Sequence, residues 1–205
     1  MTTLTATDHS PSASARIGPN AIVQLAEAMR TALGAQRGAD FFAGAGLANY
    51  WRDPPQQMVD EAEVLRLHRA LRADFDPATA AQLARDAGRR TGDYLLAHRI
   101  PRAAQVVLKR LPAPLASRAL LAAIRRHAWT FAGSGVFTAQ AGRPTRFRIA
   151  GCPLCRGASS PQPLCDFYAA TFERLFRVLV HPATVVVETG CQACGADACT
   201  FEARW

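Results

Sequence analysis

Between residues 17 and 128 the apolar positions recur every three or four residues, which predicts a series of helices. Helical segments are expected over residues 17–33, 41–51, 59–71, 76–98 and 115–127. The clearest start is Asp76-Pro77, because an aspartate caps a helix and a proline fits its first turn. Ile100-Pro101 is expected to end that helix.

The pattern changes after residue 128, where short alternating or β-branched runs predict strands. Strands are expected over residues 129–140, 146–149, 185–187 and 199–205. One further helix is predicted over Leu164–Val180, whose apolar residues form a single stripe. Strands that follow one another across hairpin-sized gaps favour an antiparallel sheet. We therefore predict an α+β fold in which helices pack on a small antiparallel sheet.

The same pattern predicts one domain with a short leader. Residues 1–16 are polar and are expected to be a disordered leader, while residues 17–205 form a single domain. Its helical part covers residues 17–128 and its strand-rich part covers residues 129–205. The sequence carries no secretory signal and no membrane span, so we predict a cytoplasmic protein in a reducing compartment.

All the cysteines lie in the last third of the chain, which predicts a metal or redox unit there. They are Cys152, Cys155, Cys165, Cys191, Cys194 and Cys199. Neither C-x-x-C pair follows a strand and opens a helix in the thioredoxin manner, so zinc is favoured over a redox dithiol.

Two sets of four zinc ligands satisfy this pattern, and spacing leaves both open. The first is the pair of C-x-x-C motifs, as in a zinc ribbon: Cys152, Cys155, Cys191 and Cys194. The second combines the start of a helix with the final hairpin: Cys165, Glu188, Cys191 and Cys199. A helix N-terminus lowers the pKa of a nearby thiol, which favours a thiolate at Cys165.

The positive charge is concentrated in one segment. Residues 85–126 contain ten basic residues and two acids, so their net charge of +8 equals that of the whole chain. Such a segment can meet an anionic small molecule or an acidic protein. Because no DNA- or RNA-binding motif accompanies the charge, nucleic acid is not an expected partner.

Three segments of the strand-rich part resemble the 4-vinyl reductase domain family: Pro163–Phe167, Val185–Cys191 and Gly195–Phe201. The resemblance covers roughly residues 110–205. Related sensor domains bind zinc at the matching positions, which implies the ligand set Cys165, Glu188, Cys191 and Cys199. This sequence departs from the pattern by adding Cys152, Cys155 and Cys194. The resemblance also implies the fold of trafficking-complex subunits, with a zinc-bound C-terminal hairpin, an apolar ligand pocket and pairing of two chains.

For members of bacteriochlorophyll biosynthesis, the resemblance implies a chlorophyll-precursor ligand, either a Mg-porphyrin or protochlorophyllide, and a role at the 8-vinyl reduction step. The chain contains no strand–GxGxxG–helix unit, and Gly44–Asn49 lacks the third small residue. We therefore predict a pigment carrier or assembly factor. An 8-vinyl reductase and a small-molecule sensor remain the alternatives.

A flat tetrapyrrole needs apolar contacts and, for its magnesium, one axial ligand. The candidates for these contacts are His98, His127, Trp129 and Phe131. Arginines of residues 85–126 are expected to meet the propionates of the pigment. The expected protein partners are a second copy of the chain and other enzymes of bacteriochlorophyll biosynthesis. A location at the surface of the photosynthetic membrane is a further possibility within the cytoplasm.

Overall fold

The computed structural model describes residues 15–205, so almost all of the predicted leader lies outside the described residues. The helices are α1 (Asn20–Leu33), α2 (Ala35–Gly44), α3 (Ala48–Arg52), α4 (Glu61–Asp74), α5 (Pro77–His98), α6 (Arg102–Arg110), α7 (Ala113–Arg126), α8 (Trp129–Ala132) and α9 (Asp166–Leu179). The strands are β1 (Arg16–Ile17), β2 (Val59–Asp60), β3 (Val136–Gln140), β4 (Thr145–Ala150), β5 (Val185–Gly190) and β6 (Cys199–Arg204).

The strands form two antiparallel sheets, which confirms the predicted α+β class. Strands β1 and β2 pair with each other, and the larger sheet has the order β3-β4-β6-β5. Every neighbouring pair in both sheets is antiparallel. The order places β6, the last strand, in the interior of the sheet between β4 and β5. Its first residue therefore lies beside the loops that leave both neighbours.

Helix α5 packs directly against α9, and glycines permit the close approach. A Cβ atom at Gly88 would lie 2.3 Å from the carbonyl oxygen of Phe167. The hydroxyl of Thr171 donates to the carbonyl of Gly88 at 3.1 Å across the same contact. The side chain of Asp76 caps α5 by accepting from two backbone amides, as the sequence predicted. The position of α9, and of whatever precedes it, is therefore set by α5.

Aromatic side chains fill the space between α9 and the inner face of the larger sheet. Phe147 of β4 stacks on Phe172 of α9 with ring centroids 4.5 Å apart. Phe176 meets Phe147 edge to face at 5.3 Å. Phe201 of β6 contacts Phe172 at 5.7 Å. This cluster anchors the sheet to α9 by apolar burial.

The predicted strand over residues 129–140 is wrong in its first part. Residues 129–132 form the short helix α8, in which the amide of Ala132 donates to the carbonyl of Ala128 at 2.8 Å. Gly133, at a φ of 58°, ends that helix and lets the chain turn into β3. Aromatic residues with glycines between them fit either conformation, so the periodicity did not distinguish them. None of the helices within residues 15–205 combines the length and apolar character needed to cross a bilayer.

Candidate metal centre

The six cysteines divide into five that are buried and one that is exposed. Cys194 is the exposed one, and all six are free thiols. It belongs to a 3-10 turn, Gln192–Cys194, that follows β5. Gly195 ends this turn in the left-handed region at a φ of 90°. Although its neighbour Cys191 is buried, Cys194 is therefore separated from the other thiols.

The start of α9 and the β5–β6 hairpin meet at Cys165. This residue immediately precedes α9, and its backbone amide donates to a carboxylate oxygen of Glu188 at 2.8 Å. Glu188 lies on β5 next to a register shift, and Cys199 is the first residue of β6. The thiols of Cys165 and Cys199 lie 3.5 Å apart. Helix and hairpin therefore converge as the second ligand set requires.

The first C-x-x-C motif reaches the same place from the other side of the sheet. Cys152 and Cys155 lie in the turn that follows β4, and the amide of Cys152 donates to the side chain of Gln192 at 2.7 Å. The thiol of Cys152 lies 3.5 Å from that of Cys165, and the thiol of Cys155 lies 3.4 Å from that of Cys199. The two cysteines therefore belong to the same cluster.

The cluster contains two overlapping groups of four donor atoms. One is Cys152, Cys155, Cys165 and Cys199, and the other is Cys165, Glu188, Cys191 and Cys199. Within each group all donor atoms lie within 4.8 Å of one another. A Zn–S bond of about 2.3 Å gives a tetrahedral S···S separation of about 3.8 Å. The observed S···S distances of 3.4 to 3.9 Å are close to that separation.

Burial and mutual contact shift the ionisation of these donors. Burial first, and then the charge of Cys191, raises the pKa of Glu188 to about 9. Contacts with neighbouring thiols, that of Cys152 first, lower the pKa of Cys155, whose thiolate accepts from them. The same kind of contact, again with Cys152 first, raises the pKa of Cys165. Without a cation the cluster therefore holds its protons, because several negative charges cannot share so small a buried volume.

A divalent cation suits this cluster for three reasons. Thiolates and a carboxylate are zinc ligands, and the donors already lie close to tetrahedral separations. One carboxylate oxygen of Glu188 is buried and lacks a hydrogen-bond partner. Arg72 of α4 lies nearby, donates to the carbonyl of Leu154 at 3.0 Å and supplies positive charge beside the thiolates. The cysteine cluster could therefore hold a metal ion.

The structure brings together all four members of the second ligand set and separates one member of the first. The exposed Cys194 belongs to neither donor group, so the zinc-ribbon set does not form among the described residues. The sequence interpretation missed that Cys152 and Cys155 would join Cys165 and Cys199. Their C-x-x-C spacing was the available signal. Arg72 was also missed, because an arginine on an amphipathic helix gives no sign of its destination.

The predicted pigment contacts divide between two places. His127, Trp129 and Phe131 lie together from the end of α7 through α8, whereas His98 ends α5 and packs its ring on Tyr94 at 4.8 Å. Trp129 is 61% exposed. Phe131 is partly buried and contacts Phe137 at 5.2 Å, so it joins α8 to the aromatic cluster.

The imidazole of His127 is held by a hydrogen bond to its own helix. Its Nδ1 lies 2.9 Å from the carbonyl oxygen of Ala123, and the residue is exposed. Because a carbonyl only accepts, Nδ1 carries the proton in the neutral ring. Nε2 then keeps its lone pair. A fixed tautomer of this kind is what a metal-binding imidazole requires.

His68 of α4 is a third imidazole, and it lies inside the core. It is 2% exposed, its Nε2 has no hydrogen-bond partner, and its ring meets that of Phe167 at 5.9 Å. Burial first, and then the charge of Arg72, lowers the pKa of His68 to about 3, opposed by a hydrogen bond with the backbone of Ala21. His68 is therefore neutral in the folded protein at every physiological pH.

We expect His68 to make the fold acid-sensitive. The unfolded state binds a proton near pH 6.5 and the folded state does not, so stability falls as pH falls from about 6.5 towards 3. At pH 5 this loss is about 2 kcal/mol relative to pH 8. Urea unfolding at the two pH values measures it. In His68→Leu the loss should shrink to the contribution of the remaining groups, and an unchanged loss would contradict the assignment.

The outer face of the larger sheet carries a shallow groove of about 400 Å³. Two of its arginines are already paired, Arg146 with Glu202 at 3.0 Å and Arg148 with Asp197 at 2.8 Å. Most of the remaining lining is polar, including Thr138 and Thr200. An apolar macrocycle needs mostly hydrophobic walls, so this groove does not fit the predicted ligand.

Comparison of the fold with solved structures finds H-NOX proteins. An iron(II), unliganded H-NOX mutant from K. algicida matches with a TM-score of 0.59 and 11% identity, covering 92% of this chain and 96% of that one. A second H-NOX structure, from a study of haem distortion, matches with a TM-score of 0.55 and 10% identity, covering 92% and 95%. At these identities the similarity concerns the fold alone.

Comparison of the sequence finds a family. The model of the 4-vinyl reductase domain matches residues 145–204, the segment that contains most of the metal centre. The chain is 48% identical to the bacteriochlorophyll synthase 23 kDa chain of Cereibacter sphaeroides, over 94% of this chain and 92% of that protein. It is 41% identical to the protein of the same name from Rhodobacter capsulatus, over 91% and 85%. The chain therefore belongs to the family of bacteriochlorophyll synthase 23 kDa chains and carries a 4-vinyl reductase domain at its C-terminal end.

Proposed function

We propose that this protein binds a chlorophyll-precursor tetrapyrrole and hands it on as a carrier or assembly factor in bacteriochlorophyll biosynthesis. Membership of the 23 kDa chain family, over 94% of the sequence, supports a role in that pathway. H-NOX proteins, studied for haem distortion, have a similar fold, but that likeness concerns fold alone. The observation that carries pigment binding is the exposed, oriented imidazole of His127 beside the exposed indole of Trp129.

These residues offer the contacts that a Mg-porphyrin or protochlorophyllide needs. Nε2 of His127 can supply the axial nitrogen, since Nδ1 is bound to Ala123. The indole of Trp129 offers a flat apolar surface for the macrocycle. Arg125 and Arg126, at the end of α7, can pair with propionates.

We propose zinc as the metal of the cysteine cluster and assign it a structural role. Each donor group supplies four protein ligands, so zinc bound there would keep no open position for a substrate. Zinc also has no redox chemistry of its own. The ion would join α9, the β4 turn and the β5–β6 hairpin. Function then belongs to the pigment surface, and an 8-vinyl reductase is the competing proposal.

Pigment titration tests the proposal. A divinyl Mg-porphyrin added to the purified protein should show a shifted Soret band, and no ethyl product should form with NADPH. His127→Gln and Trp129→Ala should each weaken binding about tenfold or more, equivalent to about 1.4 kcal/mol. His98→Gln is the matched control, because it removes an exposed imidazole from a different helix and should leave binding unchanged.

Three results would count against this assignment. No spectral change at micromolar pigment would refute pigment binding altogether. Repeated conversion of the vinyl group with NADPH would establish the reductase instead. A loss of binding in His98→Gln with full binding in His127→Gln would move the axial ligand from α7 to the end of α5.

We further propose a location at the membrane surface, and pairing of two chains as the family resemblance implies. Helix α6 supports the location, because it exposes Val106 and Val107 and ends in Lys109 and Arg110. Apolar and basic side chains on one short helix suit the surface of an anionic bilayer. Of the ten basic residues in 85–126, only Arg85, Arg89 and Arg90 take part in an ion pair among the described residues, so the surface keeps most of its charge.

A further inference from the structure

The two donor groups of the cysteine cluster share an edge. Both contain Cys165 and Cys199, whose thiols lie 3.5 Å apart, and together they comprise five cysteines and one carboxylate. We propose that the cluster holds two zinc ions, bridged by the thiolates of Cys165 and Cys199. This inference rests on the proposal that the cluster binds zinc, and it assigns a second ion to donors that a single ion leaves unused.

The first ion would be held by the cysteines of the β4 turn together with the bridging pair. The thiol of Cys152 lies 3.5 Å from that of Cys165, and the thiol of Cys155 lies 3.4 Å from that of Cys199. These separations are slightly below the roughly 3.8 Å edge of a zinc–thiolate tetrahedron. Small movements of the side chains would therefore complete this site.

The second ion would be held by the hairpin together with the same bridging pair. The thiol of Cys191 lies 3.9 Å from that of Cys199. Glu188 presents one oxygen to the amide of Cys165, and its other oxygen is buried without a partner. A buried, unpartnered carboxylate oxygen is costly, and a metal bond would satisfy it.

A single ion leaves part of this cluster unexplained in either position. An ion in the four-cysteine group leaves the Glu188 oxygen without a partner. An ion in the Glu188 group leaves two buried thiols, Cys152 and Cys155, within 3.5 Å of bound thiolates. Two ions use all six donors. A thiolate sulfur has more than one lone pair, so Cys165 and Cys199 can each bind both ions.

The second ion adds no buried charge. One zinc with four thiolates carries 2 − 4 = −2, and two zincs with five thiolates and one carboxylate carry 4 − 6 = −2. The guanidinium of Arg72, held by the carbonyl of Leu154 beside the cluster, offsets part of this charge in both cases. The two-ion arrangement therefore pairs more donors at the same electrostatic cost.

Metal stoichiometry tests the proposal on the full-length chain. Protein purified with zinc and freed of loosely bound metal should contain two zinc ions per chain, measured by elemental analysis against amino-acid analysis. Cys152→Ser and Cys191→Ser should each retain one ion, because each removes a terminal ligand of one site. Cys194→Ser is the matched control and should retain two, because its thiol is exposed and outside both groups.

Cadmium-substituted protein gives a readout that does not depend on the variants folding. Two ¹¹³Cd resonances with mutual coupling would support bridging thiolates. One zinc per chain would overturn the two-ion site and leave the single-ion proposal intact, whereas no zinc would overturn both. Two ions retained in Cys191→Ser would place the second ion elsewhere and refute the bridge. None of these outcomes depends on pigment binding.

Discussion

Cys165→Ser is expected to remove the bound metal completely and to destabilise the protein more than any other single cysteine substitution. Cys165 belongs to both donor groups, is fully buried, and immediately precedes α9. Its loss leaves neither group with four ligands. Loss of a structural metal is among the few changes that cost more than about 4 kcal/mol. In a chain of this length, that corresponds to a decrease in Tm of roughly 10 °C.

Zinc content and thermal unfolding measure this effect, and Cys194→Ser is the matched control. The control removes the same thiol from an exposed turn, so its free energy of unfolding should stay within about 0.5 kcal/mol of the parent. Excess chelator should lower the Tm of the parent and of the control, and should have little effect on Cys165→Ser. Full zinc retention in Cys165→Ser would show that the cluster is not the metal site.

Gly88→Ala is expected to destabilise the protein by about 3 kcal/mol through overpacking of α5 against α9. The new methyl group would lie 2.3 Å from the carbonyl oxygen of Phe167 and 2.9 Å from the Cβ of Ala170. Both contacts belong to another helix, so no side-chain rotation relieves them. The displaced α9 begins just after Cys165, and we therefore expect weaker zinc retention as well. Urea unfolding and the rate of zinc release to a chelator measure the two effects.

Gly44→Ala provides the comparison for that experiment. Gly44 also lies in a helix, and a Cβ atom there would meet nothing within 4 Å. Alanine has the better helix propensity, so this variant should be unchanged or stabilised by about 0.5–1 kcal/mol. If Gly88→Ala behaved like Gly44→Ala, the close contact between α5 and α9 would not be a feature of the folded protein.

Much of the fold could be predicted because local patterns fixed it. The predicted helix over residues 76–98 agrees with α5 to within one residue, since Asp76 and Pro77 mark its start. The apolar stripe that predicted Leu164–Val180 corresponds to α9. Residues 129–132 were predicted as a strand and are a helix, because a short aromatic run is compatible with both.

The donors of the candidate metal site could be predicted, but their grouping could not. Both C-x-x-C motifs have the same spacing and the same chemistry. A 3-10 turn leaves Cys194 exposed, while the hydrogen bond from Cys152 to Gln192 brings the other motif to the cluster. Spacing describes the chain near one residue. The cluster joins residues up to 47 positions apart, from Cys152 to Cys199.

By itself, the sequence determined the α+β class, the main helices and a concentration of thiolate donors near the C-terminus, because these depend on local periodicity and residue chemistry. Only the tertiary structure decided which thiols meet, since β6 lies between β4 and β5 and thereby joins two loops that are distant in the chain. It also decided that His68 is buried and His127 exposed. Helical spacing describes only one helix, whereas the burial of each imidazole depends on which neighbouring element covers it.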